Sequence, residues 1–148
     1  MPLSDTIKTL IRNAWDDGAP CLVATYGPAG PNISVKGSMI VFDDSHLAYW
    51  ERSKRTALEN LSHDKRVCVM YSNFKAQRDG VLESGFLRFF GSVELHESGS
   101  MREAIFAYMD AGGKGIDPPV REALDRLKAE AGQEGKSSLG ERSSFQGT

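Results

Sequence analysis

The sequence has little of what marks exported, membrane-spanning or nucleic-acid-binding chains. It holds only two cysteines in 148 residues, and both lie in apolar, strand-like runs, Pro20-Cys21-Leu22-Val23-Ala24 and Val67-Cys68-Val69-Met70. That setting reads as two small buried hydrophobes rather than a disulfide or a reactive thiol. No run approaches the ~18 consecutive apolar residues of a membrane helix, and the amino terminus lacks the charged-then-apolar order of a signal peptide. A cytoplasmic location away from the membrane is therefore expected. A charge excess is also missing: 18 Lys and Arg stand against 20 Asp and Glu. Such a balance excludes the broad basic face of a nucleic-acid binder and restricts any anion site to a local feature. The three histidines, His46, His63 and His96, show no metal-ligand spacing and read as surface residues, so no metal site is expected. Asp43-Asp44 reads as turn chemistry rather than a carboxylate dyad.

What is present is a hydrophobic pattern that changes period along the chain. Ser4 can cap a helix over about 4–16, with Ile7, Leu10, Ile11 and Ala14 on one face. Strand-like segments follow at Cys21–Tyr26, at Asn32–Phe42 with a bend at Gly37, and at His46–Glu51. The period becomes helical from Ser53 to about His63 and returns to β at Arg66–Ser72. After a polar connection through Lys75, Gln77 and Asp79 comes the longest β run, Gly85–Leu95, in which Gly91 marks a bend where a sheet curls. Met101–Asp110 and Pro118–Ala131 read as helices joined by the loop Ala111–Gly115. These elements form one domain over 1–131. The last seventeen residues include eight Gly or Ser, which predicts a flexible tail over 132–148. Five or six strands with mostly short connections and one interposed helix point to a small antiparallel barrel, not a parallel α/β sheet.

One segment conflicts with local physics. Trp50-Glu51-Arg52-Ser53-Lys54-Arg55-Thr56 runs from a strand end into the first turn of a helix and places three cations within four residues. A helix amino terminus already carries positive partial charge and unpaired N–H groups, so cations there are unfavourable by about 0.3–1 kcal/mol each. The arrangement reads either as a solvated turn capped by Ser53 or as an anion site formed by Ser53, Lys54 and Arg55, well suited to a phosphate monoester. Tyr49 and Trp50 alternate across the preceding strand, and either could border a flat ring. Lys36, in Ile33-Ser34-Val35-Lys36-Gly37, reads either as an outward-facing lysine or as a charge placed for a ligand.

In their order along the chain these residues resemble the pyridoxamine 5'-phosphate oxidase-like superfamily, the FMN-binding split barrels. The resemblance spans Ala19 to Leu95: Val35-Lys36-Gly37, an aromatic strand end, Ser53-Lys54-Arg55 where the oxidases carry Ser-Arg-Lys, Leu58-Glu59-Asn60-Leu61, Arg66-Val67, and Arg88-Phe89-Phe90-Gly91-Ser92-Val93-Glu94. It implies a mainly β (α+β) fold, a six-stranded antiparallel Greek-key split β-barrel with flanking helices. It also implies FMN as cofactor, with Ile33, Ser34, Val35 and Lys36 beside the ring, Tyr49 and Trp50 on the ribityl side, and Ser53, Lys54 and Arg55 at the phosphate. The implied assembly is a homodimer with flavin at the subunit interface, acting as an oxidoreductase on a small molecule or nicotinamide donor. The alternatives are a non-catalytic flavin carrier or sensor, or a relative holding a deazaflavin or haem. Pro31 and Phe86 replace an Arg and a Gln usual in the oxidases, and a terminal strand with Trp, Arg and His is missing. Pyridoxamine 5'-phosphate oxidation itself is therefore not expected.

Overall fold

The structure, a computed structural model, describes residues 2–51, 55–110 and 142–146. Its elements in chain order are α1 (Asp5–Arg12), β1 (Cys21–Thr25), β2 (Asn32–Lys36), β3 (Ile40–Val41), β4 (His46–Trp50), α2 (Thr56–His63), β5 (Arg66–Ser72), α3 (Phe74–Arg78), β6 (Phe86–His96), α4 (Ser100–Asp110) and β7 (Arg142–Gln146). The fold is α+β, built on antiparallel pairing with flanking helices.

Among the described residues seven strands, rather than the six expected, follow the order β2-β1-β5-β6-β7-β4-β3. The extra strand is Arg142–Gln146, which the Gly and Ser content had placed in a tail but which pairs with both β4 and β6. Short polar strands carry no hydrophobic period of their own and are specified by the neighbours they pair with. The five-residue α3, capped by Asn73, falls in the polar connection through Lys75, Gln77 and Asp79. The expected helix at 118–131, the loop at 111–115 and residues Ser53 and Lys54 lie outside the described residues.

The two ends of the strand order, β2 and β3, are consecutive in the chain and separated only by Gly37-Ser38-Met39. Three residues can bridge at most roughly 14 Å between the flanking α-carbons, so the sheet must curl until its edges approach. No ladder joins β2 to β3 among the described residues, and the curled sheet stays open along that seam rather than forming a closed barrel. The long β6 makes the curl possible, pairing with β5 through Phe86–Ser92 and with β7 through Val93–His96.

Inward residues at every second position form one core, including Cys21, Val23, Val69, Tyr71, Phe89, Val93, Leu47 and Tyr49, sealed by Leu10 and Ile11 of α1. Burial pushes the Cys21 thiol up to about 12, as expected of a packing residue. α4 covers the outer side of β3 and β4, where Ile105 meets Phe42 and Ala48. His96, read from sequence as a surface residue, is buried at the end of β6.

Asn60 fixes α2 to the β1–β2 hairpin. Its Nδ2 donates to Gly30 O at 2.8 Å and Thr25 Oγ1 at 3.3 Å, and its Oδ1 accepts from the Ala29 N–H at 3.3 Å. A Cβ on Gly27 would lie 2.7 Å from the Asn60 backbone, so glycine is needed for this approach. Asn60→Ala strands three polar groups and should cost about 2 kcal/mol in urea unfolding. A loss below about 0.5 kcal/mol would show that the helix is held by its apolar contacts alone.

Candidate functional site

A groove of about 600 Å³ opens at the seam of the sheet. It is lined by Ser34, Val35 and Lys36 from β2, Gly37 and Ser38 from the turn, Trp50 from the end of β4, and Trp15 from the turn after α1. The chain has two tryptophans, and both border this groove. Ser38 ties the turn to β4: its Oγ accepts from the Trp50 N–H at 2.9 Å and donates to Trp50 O at 3.3 Å. Trp50 packs edge-on against Phe106 of α4, with ring centroids 5.4 Å apart. Trp15 lies over Gly37, where an added Cβ would stand 2.7 Å from the indole. Glycine in Val-Lys-Gly therefore makes room for an aromatic wall that is itself 66% exposed.

Of the two readings of Lys36, the outward-facing lysine is overturned by its burial. Its side chain is turned inward, 7% exposed, and its ammonium donates to Glu51 Oε1 at 2.8 Å. Glu51 directly follows β4, is 1% exposed, and its Oε2 is buried without a hydrogen-bond partner among the described residues. The Lys36 ammonium also stands 5.4 Å from the centroid of the Tyr49 ring. An ammonium carries three N–H donors, and Glu51 takes one. The Ser34 Oγ, on the same inward side of β2, is buried and likewise without a partner among the described residues. The groove thus combines aromatic walls with uncommitted polar groups, a donor set suited to the ring heteroatoms of a flat heterocycle.

Of the residues singled out from sequence, the structure brings Ser34, Val35, Lys36 and Trp50 to this groove. Ile33 instead points out from the sheet's other face, and Tyr49 sits in the core. Alternation separates Tyr49 from Trp50 on β4, whereas Ile33 shares the outward face of β2 with Val35, which lines the groove two residues further along the strand. Arg55 stands at the start of α2 without a side-chain capping bond and lines a separate concavity of about 500 Å³ with Thr56, Leu58, Glu59 and Ser62. Trp15, Ser38 and Glu51 were missed. Trp15 falls just off the apolar stripe of its helix, and Glu51 looks like part of an exposed charged turn.

Lys36→Met should lower stability by about 3–5 kcal/mol, because it leaves a buried carboxylate uncompensated. The double variant Lys36→Met with Glu51→Met should recover most of that loss in the same urea titration. A single variant costing less than about 1 kcal/mol would contradict burial of the pair.

The fold has known counterparts. Chain-length superposition matches HupZ of Group A Streptococcus (23% identity, TM-score 0.55, covering 98% of this chain and 88% of that one). It also matches a Lactobacillus delbrueckii protein assigned to the pyridoxamine 5'-phosphate oxidases (19%, TM-score 0.54, 99% and 91%). A third match is an F420 reductase (14%, TM-score 0.53, 99% and 96%). At these identities the likeness is one of fold. No curated protein matches the sequence. The profile of the pyridoxamine 5'-phosphate oxidase family, however, matches residues 7–133, which is most of the chain, and on that match the protein belongs to this family.

Proposed function

We propose that this protein binds FMN, with the isoalloxazine ring in the seam groove, and serves as an oxidoreductase for a small molecule or a nicotinamide donor. One observation carries the reading: both tryptophans of the chain, the Lys36 ammonium and the buried Ser34 hydroxyl converge on one groove. Aromatic walls exclude water and take a flat ring, while the hydroxyl and the N–H donors meet its heteroatoms. FMN, when bound, supplies the capacity to accept and release an electron pair with a proton; the chain contributes position and charge. Ser53, Lys54 and Arg55 are the proposed phosphate ligands, at the start of α2 where N–H groups and cations add.

A second reading is a non-catalytic flavin carrier or sensor. It is favoured by the groove lining among the described residues, in which the ion-paired Lys36 is the one titratable side chain. The same lining gives no histidine to a haem. Anaerobic reduction of the flavin-loaded protein by NADH or NADPH supports the oxidoreductase, and failure of both supports the carrier. Identifying the chromophore released on denaturation separates FMN from a deazaflavin.

We also propose a homodimer. Among the described residues α4 packs on the β3–β4 side of the sheet, and the outward rows of β2, β1, β5 and β6 carry exposed apolar side chains. Register places Val35, Leu22, Met70 and Arg88 in one row and Ile33, Ala24, Cys68 and Phe90 in the next. Ile33, Val35, Phe86 and Phe90 are exposed large hydrophobics on this face, a contiguous surface of the kind that a second copy covers. The face continues to the groove at Val35. A cytoplasmic location goes with this reading; no helix among the described residues is long and apolar enough to cross a membrane.

Replacing Lys54 and Arg55 together by Ala should weaken FMN roughly a hundredfold and riboflavin, which lacks the phosphate, by less than about threefold. Equal loss for both ligands would move the phosphate elsewhere. Phe86→Asp with Phe90→Asp should convert the dimer to monomer in sedimentation equilibrium without unfolding it; an unchanged dimer would place the contact on another face.

A further inference from the structure

We infer that Glu51 is a positioning residue that neutralises Lys36 and sets which charge state of a ring the groove accepts. The inference rests on the flavin reading above and extends it to a residue outside the groove lining. Three observations carry it. Lys36 and Glu51 are joined at 2.8 Å, with side chains 7% and 1% exposed, so neither charge is screened by water. Lys36 lines the groove and Glu51 does not, so the carboxylate reaches a ligand by its field and by fixing the ammonium, not by contact. Glu51 Oε2 has no partner among the described residues, and a buried, half-satisfied carboxylate is an arrangement that packing alone disfavours.

A lysine on a ligand groove ordinarily signals an anion site. Here the charge it would offer is already matched by a carboxylate in contact with it, and at the range of a ligand the carboxylate offsets a large part of the ammonium's attraction. What remains is the direction of the free N–H groups. With one N–H held by Glu51 Oε1, the ammonium is fixed and its other donors are available to an uncharged acceptor such as a ring carbonyl or ring nitrogen. The groove therefore accepts the neutral, oxidised ring, and the reduced ring, which carries a negative charge at mildly alkaline pH, gains much less from Lys36 than it would from an unpaired ammonium. Removing the carboxylate charge while keeping its shape would turn the same groove into a cationic site.

The test compares dissociation constants of the full-length apoprotein for oxidised and for reduced FMN, measured anaerobically at mildly alkaline pH. Both forms share the phosphate end, so their ratio reads the ring environment alone. Wild type should bind the two within about tenfold of each other. Glu51→Gln should shift the ratio towards reduced FMN by about tenfold or more, and Lys36→Met with Glu51→Gln, neutral again, should restore it. A merely structural role would disturb both variants alike and leave the ratio fixed, which would overturn the inference. The wild-type ratio needs no variant to fold: a preference for reduced FMN above about a hundredfold would equally overturn it. Binding of neither form to wild type would instead remove the flavin reading itself, and this inference with it.

Discussion

The ammonium of Lys36 and the carboxylate of Glu51 meet where the two edges of one curled sheet come together. A buried ion pair is tolerated only when its geometry is held rigidly, since desolvation of each charge costs several kcal/mol. The holding comes from elements distant in the strand order. β2 delivers Lys36, β4 delivers Glu51, and the intervening turn is fastened by the paired hydrogen bonds between Ser38 and Trp50. Because the turn is only three residues long, the seam cannot open without breaking the pair or straining the turn. The groove is the space left beside this fastening, and its chemistry follows from what the fastening exposes.

A sheet that closes fully has no edges and no cleft between them; a sheet that stops short leaves backbone and inward side chains accessible along one line. Here that line carries Ser34, Lys36 and the turn, and both indoles border it. Gly37 links the parts, since a side chain there would displace Trp15 from the groove. The outer face of the same strand presents Ile33 and Val35 as exposed apolar side chains, so alternation gives β2 two different surfaces. Ligand binding and subunit contact are thereby expected to sit close together without sharing residues beyond Val35.

Much of this was legible from the chain. β5 spans the residues its apolar period indicates, β1 and β4 end one residue earlier than expected, β6 is shifted by one residue at both ends, and the expected bend at Gly37 is the turn that joins the sheet edges. Membership of the family was also readable, because the order of short motifs survives where each alone is weak. The losses have physical causes. β7 is polar and Ser-rich, so nothing local distinguishes it from a tail; partner strands specify it. The Lys36–Glu51 pair spans fifteen positions and is invisible to any window-based reading, although a lysine within one apolar strand and an acid closing another are the residues such a pair requires. Tyr49 and Trp50 were correctly seen to alternate, but which of them faces the core depends on how the sheet curls.

The central claim is that the seam groove holds the flavin ring, and the chain provides its own reporter, because Trp15 and Trp50 are its two tryptophans and both border that groove. FMN titrated into apoprotein should quench most of the tryptophan emission, saturating at one flavin per chain with the same midpoint as the rise in flavin anisotropy. Flavin that binds by anisotropy while tryptophan emission stays unchanged would place the ring elsewhere and contradict the account.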